Sequence, residues 1–164
     1  SLWISDHYCF ERFVCEQPPY SIFCRCAEKQ VFPFLRKHGY GCIPWSPLAG
    51  GWLAGKYRKG QDVPEGSRGD RRGWDLDDPE HQRKLEAVEQ LIDLADDLNA
   101  TLSQFSLAWT LTNPVVTSPI IGPRTMDHLE DNLGALDVSF TADALTRVDD
   151  IVPPGSNLMG YGTG

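Results

Sequence analysis

Two short loops constrain the fold of this chain more than any other feature of its sequence. Residues 45–51 read Trp-Ser-Pro-Leu-Ala-Gly-Gly, and residues 121–125 read Ile-Gly-Pro-Arg-Thr. Each loop follows a short apolar run that is typical of a buried strand, and each leads toward helical sequence. A strand, a small-residue loop and a helix N-terminus together direct backbone N–H groups at an anion. The sequence therefore predicts a phosphate-bearing ligand at the strand C-termini of an α/β sheet or barrel.

The rest of the chain alternates predicted strands with predicted helices. Apolar runs predict three buried strands, at residues 13–17, 41–45 and 115–121. Helical spacing and capping residues predict helices over 2–8 and 27–38, from Pro79, over 101–113, after Thr125, and over 141–151. The helix from Pro79 has one apolar face, and Thr101-Leu102-Ser103-Gln104 predicts a capping box for the helix that follows it. This alternation predicts parallel βαβ units. Three strands are few for such a sheet, because both of its faces and both of its edges need cover.

Residues 56–78 separate the second strand from the longest helix and predict a long loop. The segment is rich in Gly, Pro, Arg and Asp and has no hydrophobic period. Loops of this length are usually functional or mobile. Its three neighbouring arginines, Arg68, Arg71 and Arg72, have two interpretations. They form a solvated surface, or they contact a single nucleotide phosphate, which needs only one or two such side chains.

Composition excludes several classes of function. The 164 residues are 41% hydrophobic and 23% charged, which is ordinary for one soluble globular domain. A net charge of −8 argues against a nucleic-acid partner, because no basic stripe is available to neutralise its phosphates. No apolar run is long enough to predict a membrane span.

The cysteines predict neither a disulfide framework nor a metal site. Their number is odd, and the pair at positions 24 and 26 lacks the spacing of zinc and redox motifs. We expect free thiols in a reducing cytosol, hence a cytoplasmic protein. The five residues are Cys9, Cys15, Cys24, Cys26 and Cys42.

Almost from end to end, the chain resembles the C-terminal half of an aldo-keto reductase. The likeness is densest at residues 13–20, 41–57 and 120–138. It is nearest to the branch that includes potassium-channel β subunits and their bacterial relatives. The motifs that indicate this branch are the 45–51 loop, Gly55-Lys56-Tyr57 and Leu129-Glu130-Asp131-Asn132.

The resemblance implies an α/β fold that is part of a (β/α)8 TIM barrel. Residues 1–164 would form the C-terminal part of the reductase domain, with its last three βα units and C-terminal helices. Ser1 would lie partway along the helix before the sixth strand. Family members bind NADPH across the strand C-termini and reduce aldehydes and ketones to alcohols.

For the nicotinamide and pyrophosphate, the resemblance implies a set of cofactor-binding residues. Gln17 would hydrogen-bond the carboxamide, and Trp45 would stack on the nicotinamide ring. Lys56 and Arg68 would close over the phosphates. The pyrophosphate would be lined by the loop residues Ser46, Pro47, Leu48, Ala49 and Gly50.

At the adenosine end the resemblance implies contacts from the second loop and the helix after it. Gly122 and Arg124 would meet the 2′-phosphate. Asp131 and Asn132 would contact the adenine or its ribose. His128 stands where this branch often has Gln.

Each of these residues also has an ordinary structural interpretation. Gln17 could satisfy a strand end, Trp45 could be core, and the 45–51 loop could be a simple tight turn. The two cations of the long loop could be solvated, and Arg124 could pair with Asp127 or Glu130. Their joint spacing favours the cofactor.

The family's catalytic Asp, Tyr, Lys and His have no matching motifs here, so the resemblance predicts no catalytic residue in this chain. Three interpretations remain open. The chain is part of a full reductase that acts on a small carbonyl substrate. Alternatively, it binds a nucleotide without catalysis, as a regulatory or interaction subunit. In the third, it is a half-barrel whose apolar edge favours self-association or pairing with another half-barrel.

Overall fold

A computed structural model describes residues 2–160 of the chain, in which two short strands combine with seven α-helices. The strands are β1 (Cys15–Glu16) and β2 (Gly41–Cys42). The helices are α1 (Leu2–Tyr8), α2 (Val31–His38), α3 (Arg68–Arg71), α4 (Pro79–Asp97), α5 (Leu102–Thr112), α6 (Met126–Leu133) and α7 (Ala142–Ile151). Three 3₁₀ helices lie between them, at Cys26–Glu28, Ala49–Ala54 and Gly134–Asp137.

The sheet is parallel, as the alternation of strands and helices predicts. Cys15 lies opposite Gly41, and Glu16 lies opposite Cys42. Isolated parallel bridges then join Trp45 to Pro19 on one side and to Ile120 on the other. The three apolar segments therefore run in the same direction, in the order β1, β2, 117–120.

The prediction of a regular strand at residues 115–121 is wrong. Residues 115–121 make separate hydrogen bonds with residues 42–44. Thr117 N and Ser118 N donate to Cys42 O at 2.7 and 3.4 Å, Cys42 N donates to Thr117 Oγ1 at 3.1 Å, and Ile120 N donates to Pro44 O at 2.8 Å. Proline has no N–H to donate to a ladder. Because Pro44 lies in one of these two segments and Pro119 in the other, each segment lacks a donor that a continuous ladder needs.

The expectation that the first predicted strand is buried is also wrong. Phe13 is 69% exposed and Val14 is 76% exposed. β1 is the edge strand of the described sheet, and no described element covers these side chains. Their apolar character therefore marks a surface that the described residues leave open.

The helices follow their local signals closely. The capping box predicted at Thr101 is confirmed: its Oγ1 accepts from Gln104 N at 3.1 Å, and Gln104 Oε1 accepts from Thr101 N at 3.0 Å. Gly39 ends α2 with φ +69°, as a C-terminal glycine cap requires. The predicted helix 27–38 begins later, at Val31, which places Pro33 in its first turn.

The core lies where α4, α5 and α7 pack together. The apolar face predicted for α4 is confirmed, and its fully buried side chains meet those of α5 and α7. No helix among residues 2–160 has the length and apolar character that crossing a membrane requires. The central side chains of the core are Leu85, Val88, Leu91, Phe105, Trp109 and Val148.

Buried Arg25 joins the segment after β1 to the C-terminal end of the described chain. Its Nε donates to Glu28 Oε1 at 2.9 Å, and its Nη1 donates to Asp149 Oδ1 and to Val152 O, each at 2.7 Å. The guanidinium also lies 5.0 Å from the centre of the Trp109 ring. The residues after α7, in which the sequence shows no periodicity, are thereby held against the core.

Replacement of Arg25 by Ala should destabilise the protein by roughly 3 kcal/mol, because the poorly solvated carboxylate of Glu28 would lose its cationic partner. Urea unfolding measures this loss. The matched control is Arg12→Ala, which removes an ion pair to Asp6 that is more than half exposed on both sides. That change should cost less than about 1 kcal/mol. Equal losses would contradict a structural role for Arg25.

Candidate functional site

The parallel pairing brings both predicted loops to one edge of the sheet. Gln17 follows β1, the 45–51 loop follows β2, and Gly122 follows the bridge at Ile120. Trp45 lies between its bridge partners Pro19 and Ile120. Its side chain is 38% exposed, so the alternative of a core tryptophan is wrong. Gln17 is exposed at the same edge.

The 45–51 loop has an unusual backbone. Two residues with side chains, Ser46 and Ala49, have φ values of +60° and +48°. Gly50 and Gly51 follow with +69° and +104°. Non-glycine residues rarely adopt positive φ, so this sequence of conformations marks a loop held by its surroundings. Within it, Ala49 N donates to Ser46 O at 2.9 Å and Gly51 N donates to Leu48 O at 2.8 Å.

No long helix begins at this first loop, contrary to the strand–loop–helix pattern. The chain continues in a kinked 3₁₀ helix, Ala49–Ala54. The positive charge near the loop therefore comes from side chains rather than from a helix N-terminus. The two loop side chains Pro47 and Ala49 are buried, whereas Ser46, Leu48 and Gly50 remain half-buried at the surface.

Two cationic side chains lie across the glycines of this loop. A Cβ atom added to Gly51 would lie 2.8 Å from Lys56 Cε and 3.2 Å from Lys56 Nζ. A Cβ atom added to Gly50 would lie 3.3 Å from Arg68 Nη1. Neither cation is within salt-bridge distance of a carboxylate among residues 2–160. Both positive charges are therefore available to an anionic ligand at this loop.

The second loop leads into a true α-helix. Thr125 Oγ1 accepts from His128 N at 3.2 Å and caps α6. Gly122 and Arg124 are exposed just before this cap, and His128 is exposed on the helix. Within residues 2–160 Arg124 forms no ion pair with Asp127 or Glu130.

The two predicted adenosine contacts have different surroundings. Asp131 is hydrogen-bonded to another residue of the protein: its Oδ1 accepts from Thr101 Oγ1 at 3.0 Å. Asn132 is buried. These two residues are thus less accessible than Arg124 and His128, which share the same end of the site.

Two buried tyrosines are engaged with the protein rather than with a ligand. Tyr20 Oη donates to Glu28 Oε1 at 2.9 Å, and burial together with this carboxylate raises the pKa of the hydroxyl. A general acid needs the opposite shift. Tyr57 lies beside Lys56, but its hydroxyl accepts from Gly69 N at 3.0 Å in a fully buried contact. Among residues 2–160 no cluster of His, Cys, Asp and Glu could hold a metal ion.

The long loop 56–78 is more ordered than its composition predicts. It contains α3, capped by Ser67, whose Oγ accepts from Asp70 N at 3.1 Å. Trp74 stacks on Trp52 with ring centres 5.0 Å apart, and it also contacts Tyr57. The sequence signal for this cluster is present, since three aromatic residues flank an aperiodic stretch, but the prediction did not use it.

Comparison with known proteins identifies the family. The sequence model of the Aldo/keto reductase family matches residues 9–153. The chain therefore belongs to the aldo/keto reductase family, as its motifs indicate.

The individual relatives include an oxidoreductase and potassium-channel β subunits. The uncharacterized oxidoreductase YrpG of Bacillus subtilis is 42% identical over 147 residues, which cover 89% of this chain and 43% of that protein. A putative voltage-gated potassium channel subunit beta of Schizosaccharomyces pombe is 36% identical over 146 residues, or 85% of this chain and 42% of the relative. A probable subunit of the same kind from Arabidopsis thaliana is 34% identical, covering 85% and 44%. The chain spans less than half the length of these relatives.

Gly69→Ala should destabilise the protein by roughly 2 kcal/mol, because the added Cβ would lie 2.8 Å from Trp74 Cε3 and 3.0 Å from Tyr57 Cε1. The matched control is Gly122→Ala, where a Cβ would meet nothing within 4 Å. That change should stay within about 0.5 kcal/mol. Urea unfolding of both variants measures the difference, and an unaffected Gly69→Ala protein would contradict close packing beneath α3.

Proposed function

We propose that the chain is the cofactor-binding part of an NADP(H)-dependent oxidoreductase. In this proposal it corresponds to the last three βα units and the C-terminal helices of a (β/α)8 barrel. Membership of the aldo/keto reductase family supports it, as does the parallel order β1, β2, 117–120.

The observation that carries this proposal is the pair of cations across the glycine loop. Lys56 approaches Gly51, and Arg68 approaches Gly50, at the edge where β1 and β2 end. A pyrophosphate needs opposite charge and close backbone approach, and glycine permits that approach because it has no Cβ. We assign the pyrophosphate to this loop, with the Ser46 hydroxyl as a further contact.

The nicotinamide end of the cofactor would lie beside Gln17 and Trp45. Gln17 is exposed, and its amide can donate and accept at once, as a carboxamide partner must. The partly exposed Trp45 ring offers an apolar surface for stacking. When bound, the reduced nicotinamide supplies the hydride of family chemistry, while these two side chains bind and orient the ring.

The adenosine end would lie at the second loop. Arg124 is exposed and offers a planar cation to a 2′-phosphate, and the exposed backbone at Gly122 leaves room for that group. Asn132 and Asp131 would contact the adenine or ribose, with His128 beside them. Asp131 retains acceptor capacity beyond its bond to Thr101, because a carboxylate accepts several hydrogen bonds.

Arg68→Ala should weaken NADPH binding about tenfold, because a charge-assisted contact to the pyrophosphate would be lost. Titration of NADPH fluorescence with the 164-residue chain measures this. The matched control is Arg71→Ala on the same helix. The Nη1 of Arg71 donates to Gly66 O at 2.9 Å, and removal of this side chain should leave the affinity for NADPH unchanged.

A flat titration of the unmodified chain would contradict the cofactor assignment. The same preparations also test catalysis, since we assign no catalytic residue to this chain. Incubation with NADPH and an aromatic aldehyde should give no oxidation above a blank without protein. Clear oxidation would show that the chain carries a proton donor of its own.

A second candidate function is association through the open side of β1. The residues from α1 to β1 expose a series of aromatic side chains, with Tyr8 stacked on Phe10 at a ring-centre distance of 5.7 Å. Exposed apolar patches next to an edge strand favour pairing with another chain. The exposed members of this surface are Trp3, Ile4, Tyr8, Phe10, Phe13 and Val14.

In this second proposal the chain is a half-barrel that self-associates or pairs with another half-barrel. Sedimentation equilibrium of the purified chain should give a mass of at least two copies. Substitution of Phe13 by Lys should shift it toward the monomer, because a charge would then enter the apolar contact. A monomeric unmodified chain at high concentration would contradict self-association.

A further inference from the structure

The position of Arg68 over the loop depends on a contact that lies outside the proposed cofactor site. Arg68 is exposed and sits at the start of α3, which has only four residues. A helix this short is not stable by itself. Its neighbour Gly69, in contrast, is buried, and its N–H donates to Tyr57 Oη at 3.0 Å.

A packed aromatic cluster supports the contact between Gly69 and Tyr57. This cluster, the aromatic latch, consists of Trp52, Tyr57, Trp74 and His81, with ring centres 4.9–5.5 Å apart. Trp74 N also donates to Gly69 O at 2.9 Å, so both backbone groups of Gly69 bind members of the latch. His81 Nδ1 lies 2.6 Å from Asp75 O and ties the far end of the loop to α4.

We propose that Tyr57 is a positioning residue for Arg68: its buried hydroxyl fixes Gly69 and thereby holds the Arg68 guanidinium beside Gly50. This inference rests on the proposed cofactor function and adds the element that governs retention of the ligand's phosphates. The geometry supports it because Gly69 has no free space. A Cβ there would approach Trp74, Tyr57 and Val63 to within 3.0 Å, so α3 sits against the latch in one arrangement.

The first test removes only the hydroxyl. Tyr57→Phe keeps the ring that packs on Trp52 and Trp74, and it leaves the Gly69 N–H without its acceptor. Amide hydrogen exchange over residues 67–72 should become at least about tenfold faster. The matched control is Tyr20→Phe, another buried tyrosine with a hydroxyl bond, whose loss should leave exchange over 67–72 unchanged. Unchanged exchange in Tyr57→Phe would overturn the proposal.

A double-mutant cycle then tests whether Tyr57 acts through Arg68. Tyr57→Phe should raise the rate of NADPH dissociation about fivefold in the unmodified chain, and by less than twofold when Arg68 is already Ala. Equal effects in both backgrounds would overturn the proposal, because Tyr57 would then act on the ligand by another route. Gly69→Ala reaches the same contact from the opposite side and should also speed dissociation.

These outcomes separate the inference from the function on which it rests. If the unmodified chain binds no NADPH, the cofactor proposal fails, and hydrogen exchange still decides whether Tyr57 holds the Arg68 segment. If NADPH binds and exchange over 67–72 does not respond to Tyr57→Phe, the cofactor proposal stands and the positioning role fails.

Discussion

The backbone pairing at Trp45 is the constraint on which the proposed site depends. Trp45 N donates to Pro18 O at 3.1 Å, and Trp45 O accepts from Tyr20 N at 3.3 Å. The same residue pairs in parallel with Ile120 on its other side. Because neighbouring strands are about 4.8 Å apart, one residue with two partners brings three separate segments within reach of a single ligand. Without this pairing, the 45–51 loop would not lie next to Gln17 and the 121–125 loop, and the three could not contact one ligand together.

Local signals predicted the helices well, because their causes are local. The capping box at Thr101 and the glycine cap at Gly39 involve residues within one turn, and both formed as the sequence indicates. The strands depend on distant partners. Residues 115–121 look like a strand by composition, yet Pro44 and Pro119 interrupt its pairing with β2. Phe13 and Val14 look buried by pattern, yet β1 is an edge strand whose outer side the described chain leaves open.

In the candidate site, the sequence pattern predicts the loops, and the family resemblance implies Lys56 and Arg68 as the cations beside them. The pattern suggested a helix N-terminus after residues 45–51, where the structure has a kinked 3₁₀ helix instead. The positive charge comes from Lys56 and Arg68, which reach the loop from residues 56–78, a segment whose composition leaves Arg68 either solvated or in contact with a phosphate. Nothing local in the sequence indicates that Tyr57 would bind Gly69, because that contact joins residues twelve positions apart through tertiary packing.

The acidic composition is compatible with a phosphate ligand, because distant exposed charges act on that ligand much less than the charges next to it. The net charge of −8 belongs to the whole chain, and at physiological salt exposed charges are screened beyond about 8 Å. Lys56 and Arg68 lie beside the loop and form no ion pair among the described residues, so their positive charges are available there. In the proposed NADP(H) site a dinucleotide would carry its charge at two points, with Lys56 and Arg68 beside the 45–51 loop and Arg124 in the 121–125 loop.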